Sequence, residues 1–168
     1  MDLALKEDEQ YKIIDDFLSE ADYKTYWNFT QKANYTVGDV DYPNSVPVGM
    51  VSELATDHSL IQNLFPKVIT GCTLNRLFLN YYGPRDLSYF HYDHYLPEAT
   101  TLLYYPCPTY SPDEGGATEL MIDDNIVGIR SIANRLLIFR ANILHRATPF
   151  KSYQRYTYAF KYDPPTPK

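Results

Sequence analysis

The residues of this chain best suited to hold a metal ion are a histidine and an aspartate two positions apart, in His91-Tyr92-Asp93. On an extended strand, positions i and i+2 share a face, so an imidazole nitrogen and a carboxylate oxygen can reach one ion together. The triplet is short and carries little weight alone. A third ligand must come from elsewhere, and His145 is the best candidate. Two imidazoles and one carboxylate on one side of a metal leave three positions open. That donor set suits non-haem Fe(II) chemistry, in which a cosubstrate and O2 must both find room. His94 stays outside the set, because a residue adjacent to Asp93 faces the other side of a strand. His58 stands near the start of a predicted helix, where a capping or exposed role suffices.

Downstream of His145, the stretch 153–162 alternates cleanly. Arg155, Thr157 and Ala159 fall on one face, and Tyr156, Tyr158 and Phe160 fall on the other. The aromatic face is expected to pack into the core. The opposite face then offers a guanidinium and a hydroxyl to an enclosed space. Arginine holds a carboxylate with two parallel hydrogen bonds, and a guanidinium buried without a partner is costly. A ligand carboxylate is therefore its natural occupant. The competing reading is an exposed Arg155 paired with a protein acid.

These side chains must be positioned by one domain, because 168 residues suffice for a single core. A hydrophobic content of 45 % with 21 % charged residues describes a globular chain, not a disordered one. The chain holds 17 Tyr and 8 Phe, a bias that favours strands. A net charge of −6 argues against a sequence-independent grip on nucleic acid. Cys72 and Cys107 make no disulfide framework and lack metal-type spacing. The acidic start of the chain has no secretory apolar stretch, and no window approaches a membrane span. A cytoplasmic setting without membrane contact is expected, and it suits a ferrous site.

Tyr11–Phe17 reads as a first strand. Ser19 then reads as an N-cap opening a helix that presents Tyr23, Tyr26, Trp27 and Thr30 on one face. Residues 34–52 read as loop, with room for one strand. A second helix is expected from Thr56 or Asp57, burying Leu60, Ile61, Leu64 and Phe65 and ending at Pro66. Beyond Lys67 the period changes to two. Strands are expected at 73–82, 88–93, 100–106, 117–122, 126–131, 135–141, 143–147 and 153–162, separated by Gly, Pro and Asn turns. The expectation is a mainly β, α+β domain, with an antiparallel double sheet and N-terminal helices on one outer face. Residues 1–66 form its strand and helical support and 67–162 its core, while 163–168 fray as a proline-rich tail.

Taken together, these residues resemble the Fe(II)/2-oxoglutarate-dependent dioxygenases, in particular the prolyl-4-hydroxylase-like group. The resemblance covers nearly the whole chain. Tyr11-Lys-Ile-Ile-Asp-Asp-Phe-Leu-Ser-Glu20 is similar to the strand and helix that open such domains. Arg76-Leu-Phe-Leu-Asn-Tyr-Tyr82 is similar to the strand ahead of the family's His-x-Asp. Glu114-Gly-Gly-Ala-Thr-Glu-Leu120 resembles its Gly-Gly-x-Thr turn, and 134–161 resembles its distal histidine and cosubstrate strand. The segment 83–90 departs from the family's Gly-rich run.

The resemblance implies a double-stranded β-helix, or jelly roll, forming one oxygenase domain over 1–168. It implies His91, Asp93 and His145 as iron ligands. Arg155 would take the distal carboxylate of 2-oxoglutarate, helped by Thr157 and the Tyr82 hydroxyl. The implied cofactors are Fe(II), 2-oxoglutarate and O2, with ascorbate as an accessory reductant. The implied reaction hydroxylates a C–H bond, peptidyl proline first among targets, and releases succinate and CO2. A peptide, protein or small molecule is the expected partner, and oligomeric state is left open. Tyr89, Tyr92, Tyr95 and Tyr105 are candidates for the substrate entrance or for plain packing.

Two other readings stand beside this one. The run Tyr89-Phe-His91-Tyr-Asp93-His94 is similar to the His-x-His-x-Asp-His run of the metallo-β-lactamase-like hydrolases, with Tyr89 in place of the first histidine. A zinc-dependent hydrolase would then use His91, Asp93 and His94. A non-catalytic cupin-like binding module would keep the histidines as structural residues.

Overall fold

The computed structural model describes residues 3–38, 40–61, 65, 68–69 and 71–164. The chain is mostly β, with one α-helix among the described residues. The strands are β1 (Tyr11–Ile14), β2 (Thr36–Val37), β3 (Met50–Leu54), β4 (Val68–Ile69), β5 (Cys72–Tyr82), β6 (Thr100–Tyr105), β7 (Thr118–Ile122), β8 (Asn125–Ile129), β9 (Arg135–Arg140), β10 (His145–Ala147) and β11 (Arg155–Asp163). The helix α1 is Glu20–Lys32.

The strands form two antiparallel sheets. The larger has the order β1-β9-β6-β11-β5-β3-β2, with β4 also paired to β5, and the smaller has the order β10-β7-β8. This arrangement is consistent with a jelly roll. One face of the large sheet packs Leu77, Leu79, Leu102, Tyr104, Tyr158 and Phe160 against Tyr26 of α1 and against Phe65. The other face packs Phe78, Leu103, Phe139 and Ala159 against Leu120 and Ile129 of the small sheet. The clean alternation of 153–162 is what divides its residues between these two cores.

Local chemistry sets α1. The Ser19 hydroxyl accepts from Asp22 N at 3.2 Å, capping the first turn. Glu20 and Asp22 lie in the first turn and Lys32 in the last, matching the helix dipole. Tyr26 and Thr30 are buried, and Trp27 meets Tyr156 edge-on. The Thr30 hydroxyl donates to Tyr158 Oη at 3.0 Å, tying α1 to β11.

Several expectations are corrected. The second helix is not present among the described residues: 55–61 forms turns closed by His58 N to Ala55 O and Ile61 N to His58 O, both 2.9 Å. Ile61 and Phe65 are nonetheless buried, and Leu60 packs beside them; Leu64 and Pro66 lie outside the described residues. The strand expected at 88–93 reduces to one bridge, His91 to His145. The loop 34–52 contributes β2 and the start of β3. The first strand stops at Ile14, because Asp16 adopts φ 49° and turns the chain. Asp163 belongs to β11 rather than to a frayed tail, and 165–168 lie outside the described residues. Cys72 and Cys107 are free and buried. No described helix is long and apolar enough to cross a membrane.

Candidate metal centre and carboxylate pocket

His91 and His145 face each other as a hydrogen-bonded antiparallel pair. Each backbone N–H donates to the other's carbonyl at 3.0 Å, which places both side chains on one face. Their rings stand 4.4 Å apart. The chain then turns, and Asp93 N donates to Ala141 O at 3.0 Å. That anchor at the end of β9 aims the Asp93 carboxylate back at the two rings. Nε2 of His91 lies 3.7 Å from Asp93 Oδ1, and Nε2 of His145 lies 3.4 Å from Asp93 Oδ2. One donor atom from each residue falls within 4.8 Å of the others.

The donor chemistry fits a divalent ion. Nδ1 of His91 lies 2.8 Å from Tyr89 O, and Nδ1 of His145 lies 2.9 Å from Ile143 O. With each Nδ1–H donating to that carbonyl, both Nε2 lone pairs are left for a metal. Burial and the neighbouring His145 hold the His91 imidazole below its ordinary range, which favours the neutral, ligating form. Burial pushes the Asp93 carboxyl up, but Lys161, His145 and His91 outweigh it and hold the group well below the usual carboxylate range. His94 does not join this group. Its Nδ1 accepts from Leu96 N at 3.0 Å, so the His91/Asp93/His94 zinc set of the hydrolase reading is not assembled.

The cleft beside this cluster has a volume of about 340 Å³ and runs along β11 and β5. Arg155 sits in its wall, 1 % exposed. Its Nε donates to Gly116 O at 3.0 Å and its Nη2 to Thr118 Oγ1 at 2.8 Å. Both acceptors are neutral, and among the described residues no ion pair to Arg155 is present. The exposed, acid-paired reading of Arg155 is therefore overturned. The rings of Tyr82 and Tyr105 flank the guanidinium at 6.0 and 5.7 Å. Thr157 and Tyr82 line the same cleft. Burial and nearby Asp41 push the Tyr82 phenol up to about 12, so it remains a hydrogen-bond donor.

Of the tyrosines considered for the entrance, Tyr89, Tyr92 and Tyr95 are exposed, and Tyr92 lines the cleft. Tyr105 is fully buried behind Arg155, its hydroxyl 2.7 Å from Thr118 Oγ1.

Sequence reasoning missed four contributors. Gly116 and Thr118 aim Arg155, and Asp41 lies 3.4 Å from His91 Nδ1. Lys161 pairs with Asp93. Lys161 carried a signal, since it continues the Arg155, Thr157, Ala159 face, and Gly116 and Thr118 lie in the Gly-Gly-x-Thr turn, which gave them no role toward Arg155.

No family model matches the sequence, and no curated protein matches it by sequence. Solved structures do match. A prolyl hydroxylase from Trichoplax adhaerens, solved with a hypoxia inducible factor oxygen degradation domain peptide, aligns with a TM-score of 0.69 and 21 % identity, covering 92 % of this chain and 84 % of that one. A Pseudomonas putida prolyl-4-hydroxylase aligns with a TM-score of 0.73 and 11 % identity, covering 95 % of both chains. HygX from Streptomyces hygroscopicus, solved with nickel and 2-oxoglutarate, aligns with a TM-score of 0.72 and 11 % identity, covering 97 % of this chain and 88 % of that one. The fold of this chain is that of the prolyl hydroxylases and other Fe(II)/2-oxoglutarate-dependent oxygenases.

Proposed function

We propose that this chain is an Fe(II)- and 2-oxoglutarate-dependent hydroxylase built on a jelly roll. The observation that carries the reading is Arg155, a buried guanidinium with no carboxylate partner among the described residues, facing the same cleft as a His-Asp-His cluster. A binding module with structural histidines has no need of both.

In this reading His91, Asp93 and His145 hold the metal, with the carbonyls of Tyr89 and Ile143 fixing the two rings. Arg155 holds the distal carboxylate of 2-oxoglutarate, and Thr157 and the Tyr82 hydroxyl assist. Gly116 O and Thr118 keep the guanidinium plane aimed before the cosubstrate arrives, which lowers the ordering cost of binding. Metal and cosubstrate together supply the oxidising power, consuming O2 and releasing succinate and CO2 as a substrate C–H becomes C–OH. The chain's part is to orient the reactants and exclude water. The Trichoplax enzyme's peptide complex favours peptidyl proline as the target.

The test is succinate release by the Fe(II)-loaded chain over a panel of prolyl peptides and free amino acids. Prolyl peptides are expected to stimulate release, and His91→Ala is expected to abolish it. Release that survives His91→Ala rejects the triad. No binding of 2-oxoglutarate with or without metal favours the cupin-like module instead.

A further inference from the structure

Among the described residues, four Lys and Arg side chains line the cleft. Arg76 is paired with Glu53, and Arg146 with Glu119. Arg155 meets neutral acceptors at one end. Lys161 lies six residues further along the same face of β11, which sets the two Cα atoms roughly 20 Å apart at the rise of an extended strand. Its ammonium donates to Asp93 Oδ2 and lies 5.7 Å from the centre of the Phe78 ring. The side chain is 20 % exposed to the cleft mouth. Asp163 lines the same end, but among the described residues it makes no ion pair with Lys161.

An ammonium carries three N–H donors, and Asp93 takes one. Asp93 is also served from elsewhere, since the Thr101 hydroxyl donates to the same oxygen at 2.6 Å. With a dication in the triad, the Asp93 charge is compensated from that side. The Lys161 charge then stands beside another cation, with two N–H donors unspent. A charge in that position is costly to leave without an anion. The distal carboxylate of the cosubstrate belongs to Arg155, far along the strand. We infer that Lys161 is a specificity-determining residue that takes a carboxylate of the substrate. The site then selects a target with a free carboxylate close to the reacting C–H, either a free amino acid or the C-terminal residue of a peptide. The inference rests on the oxygenase reading of the cleft. For prolyl targets it favours a peptide that ends in proline, because an internal residue offers the ammonium only a neutral carbonyl. Lysine suits the task, as a compact point charge that can meet either carboxylate oxygen.

The experiment compares the carboxylate and carboxamide forms of each compound in a panel of L-amino acids and proline-ending peptides. One readout is succinate release by the Fe(II)-loaded chain. The other is calorimetric binding to the chain loaded with Mn(II) and 2-oxoglutarate, which does not depend on turnover. At least one carboxylate form is expected to bind roughly ten- to a hundredfold more tightly than its amide, the worth of a hydrogen bond to a charged group. Lys161→Met keeps the length of the side chain, removes its charge and donors, and is expected to erase that preference. Lys161→Arg is expected to keep part of it. The comparison on the unmodified chain carries the test even if the lysine variants fail to fold. Amides that bind and stimulate release as well as carboxylates across the panel overturn the inference and leave the oxygenase reading standing. A preference that survives in Lys161→Met while 2-oxoglutarate binding falls assigns the ammonium to the cosubstrate and overturns it too. A chain that takes up neither Mn(II) nor 2-oxoglutarate overturns the oxygenase reading, and this inference with it.

Discussion

Arg155 commits Nε and one Nη2 hydrogen to neutral acceptors, a backbone carbonyl and a threonine hydroxyl, so further N–H donors and its charge are still available to a ligand. In the proposed role, truncating it removes one member of a buried, hydrogen-bonded charge pair with the cosubstrate, a loss of about 2–5 kcal/mol in binding. Arg155→Ala is therefore expected to raise the KM for 2-oxoglutarate between about thirtyfold and several thousandfold, with kcat at saturation much less affected. Steady-state succinate formation against 2-oxoglutarate concentration measures this, and an unchanged KM removes Arg155 from the cosubstrate site. Arg155→Lys keeps the charge but loses the planar fork, so it is expected to fall between the two. Arg155 was legible in the sequence because the alternation of its strand fixes which residues share its face. Thr118 and Gly116 were not, since only the meeting of the two sheets brings β7 under the guanidinium.

At the scale of the element, the turn before β7 is built for its task. Gly115 and Gly116 have φ of 77° and 73°, and a Cβ on Gly116 would stand 2.1 Å from the Phe150 ring. The Gly116 carbonyl is also the acceptor for Arg155 Nε. Gly116→Ala is expected to cost about 2–4 kcal/mol in chemical denaturation, from left-handed strain plus overpacking. The same variant should raise the KM for 2-oxoglutarate, and a variant with wild-type stability contradicts this account of the turn. The end of β1 offers a pH test. The hydrogen bond from Arg135 holds the Asp15 carboxyl below its usual range, at 2.6 Å from Arg135 Nε. Its folded-state pKa is thus lower than the unfolded value near 3.9. The stabilisation is fully present above that unfolded value and is lost as pH falls through the folded one. Asp15 is half exposed, so the contribution is about 0.2–1 kcal/mol. Denaturation of Asp15→Asn followed below pH 4 should show that much less acid sensitivity than the unmodified chain. The element most plainly misread was 88–93, where a period-two pattern produced a single bridge and not a strand. The alternation did put His91 and Asp93 on one side, but the anchor on Ala141 sets the final aim.

For the whole molecule, the apolar core between the large sheet and α1 contains none of the candidate ligands, and the core between the two sheets meets the His145 ring through Phe139, at 4.7 Å. A chelator is expected to leave the chain folded and to lower only its thermal midpoint. Ligand at a hundred times its Kd stabilises by about 2.7 kcal/mol, which for a chain of this size corresponds to roughly 5–10 °C. Differential scanning calorimetry with EDTA, with Mn(II), and with Mn(II) plus 2-oxoglutarate measures these steps. Unfolding by EDTA would instead mark a structural metal. Phe160, stacked on Phe65 at 4.3 Å, is a core residue away from the cleft. Phe160→Ala is expected to cost about 3–5 kcal/mol while the folded fraction keeps its affinity for Mn(II).

What the sequence determined by itself was whatever depends on local period and side-chain type. The two faces of β11 follow from alternation, the start of α1 from Ser19, and the candidacy of His91, Asp93 and His145 as metal ligands from their donor atoms. The mainly β class followed from turn residues and aromatic density. The tertiary structure decided everything that depends on which strands become neighbours. Pairing of β10 with the chain at His91 brings the histidines together across a long sequence separation. Pairing of β6 with β11 sets Thr101 and Lys161 on one oxygen of Asp93. Side-chain period fixes the face a residue takes, but no local rule fixes its partner across the sheet. For that reason the candidate ligands could be named from the sequence, and the residues that hold them in place could not.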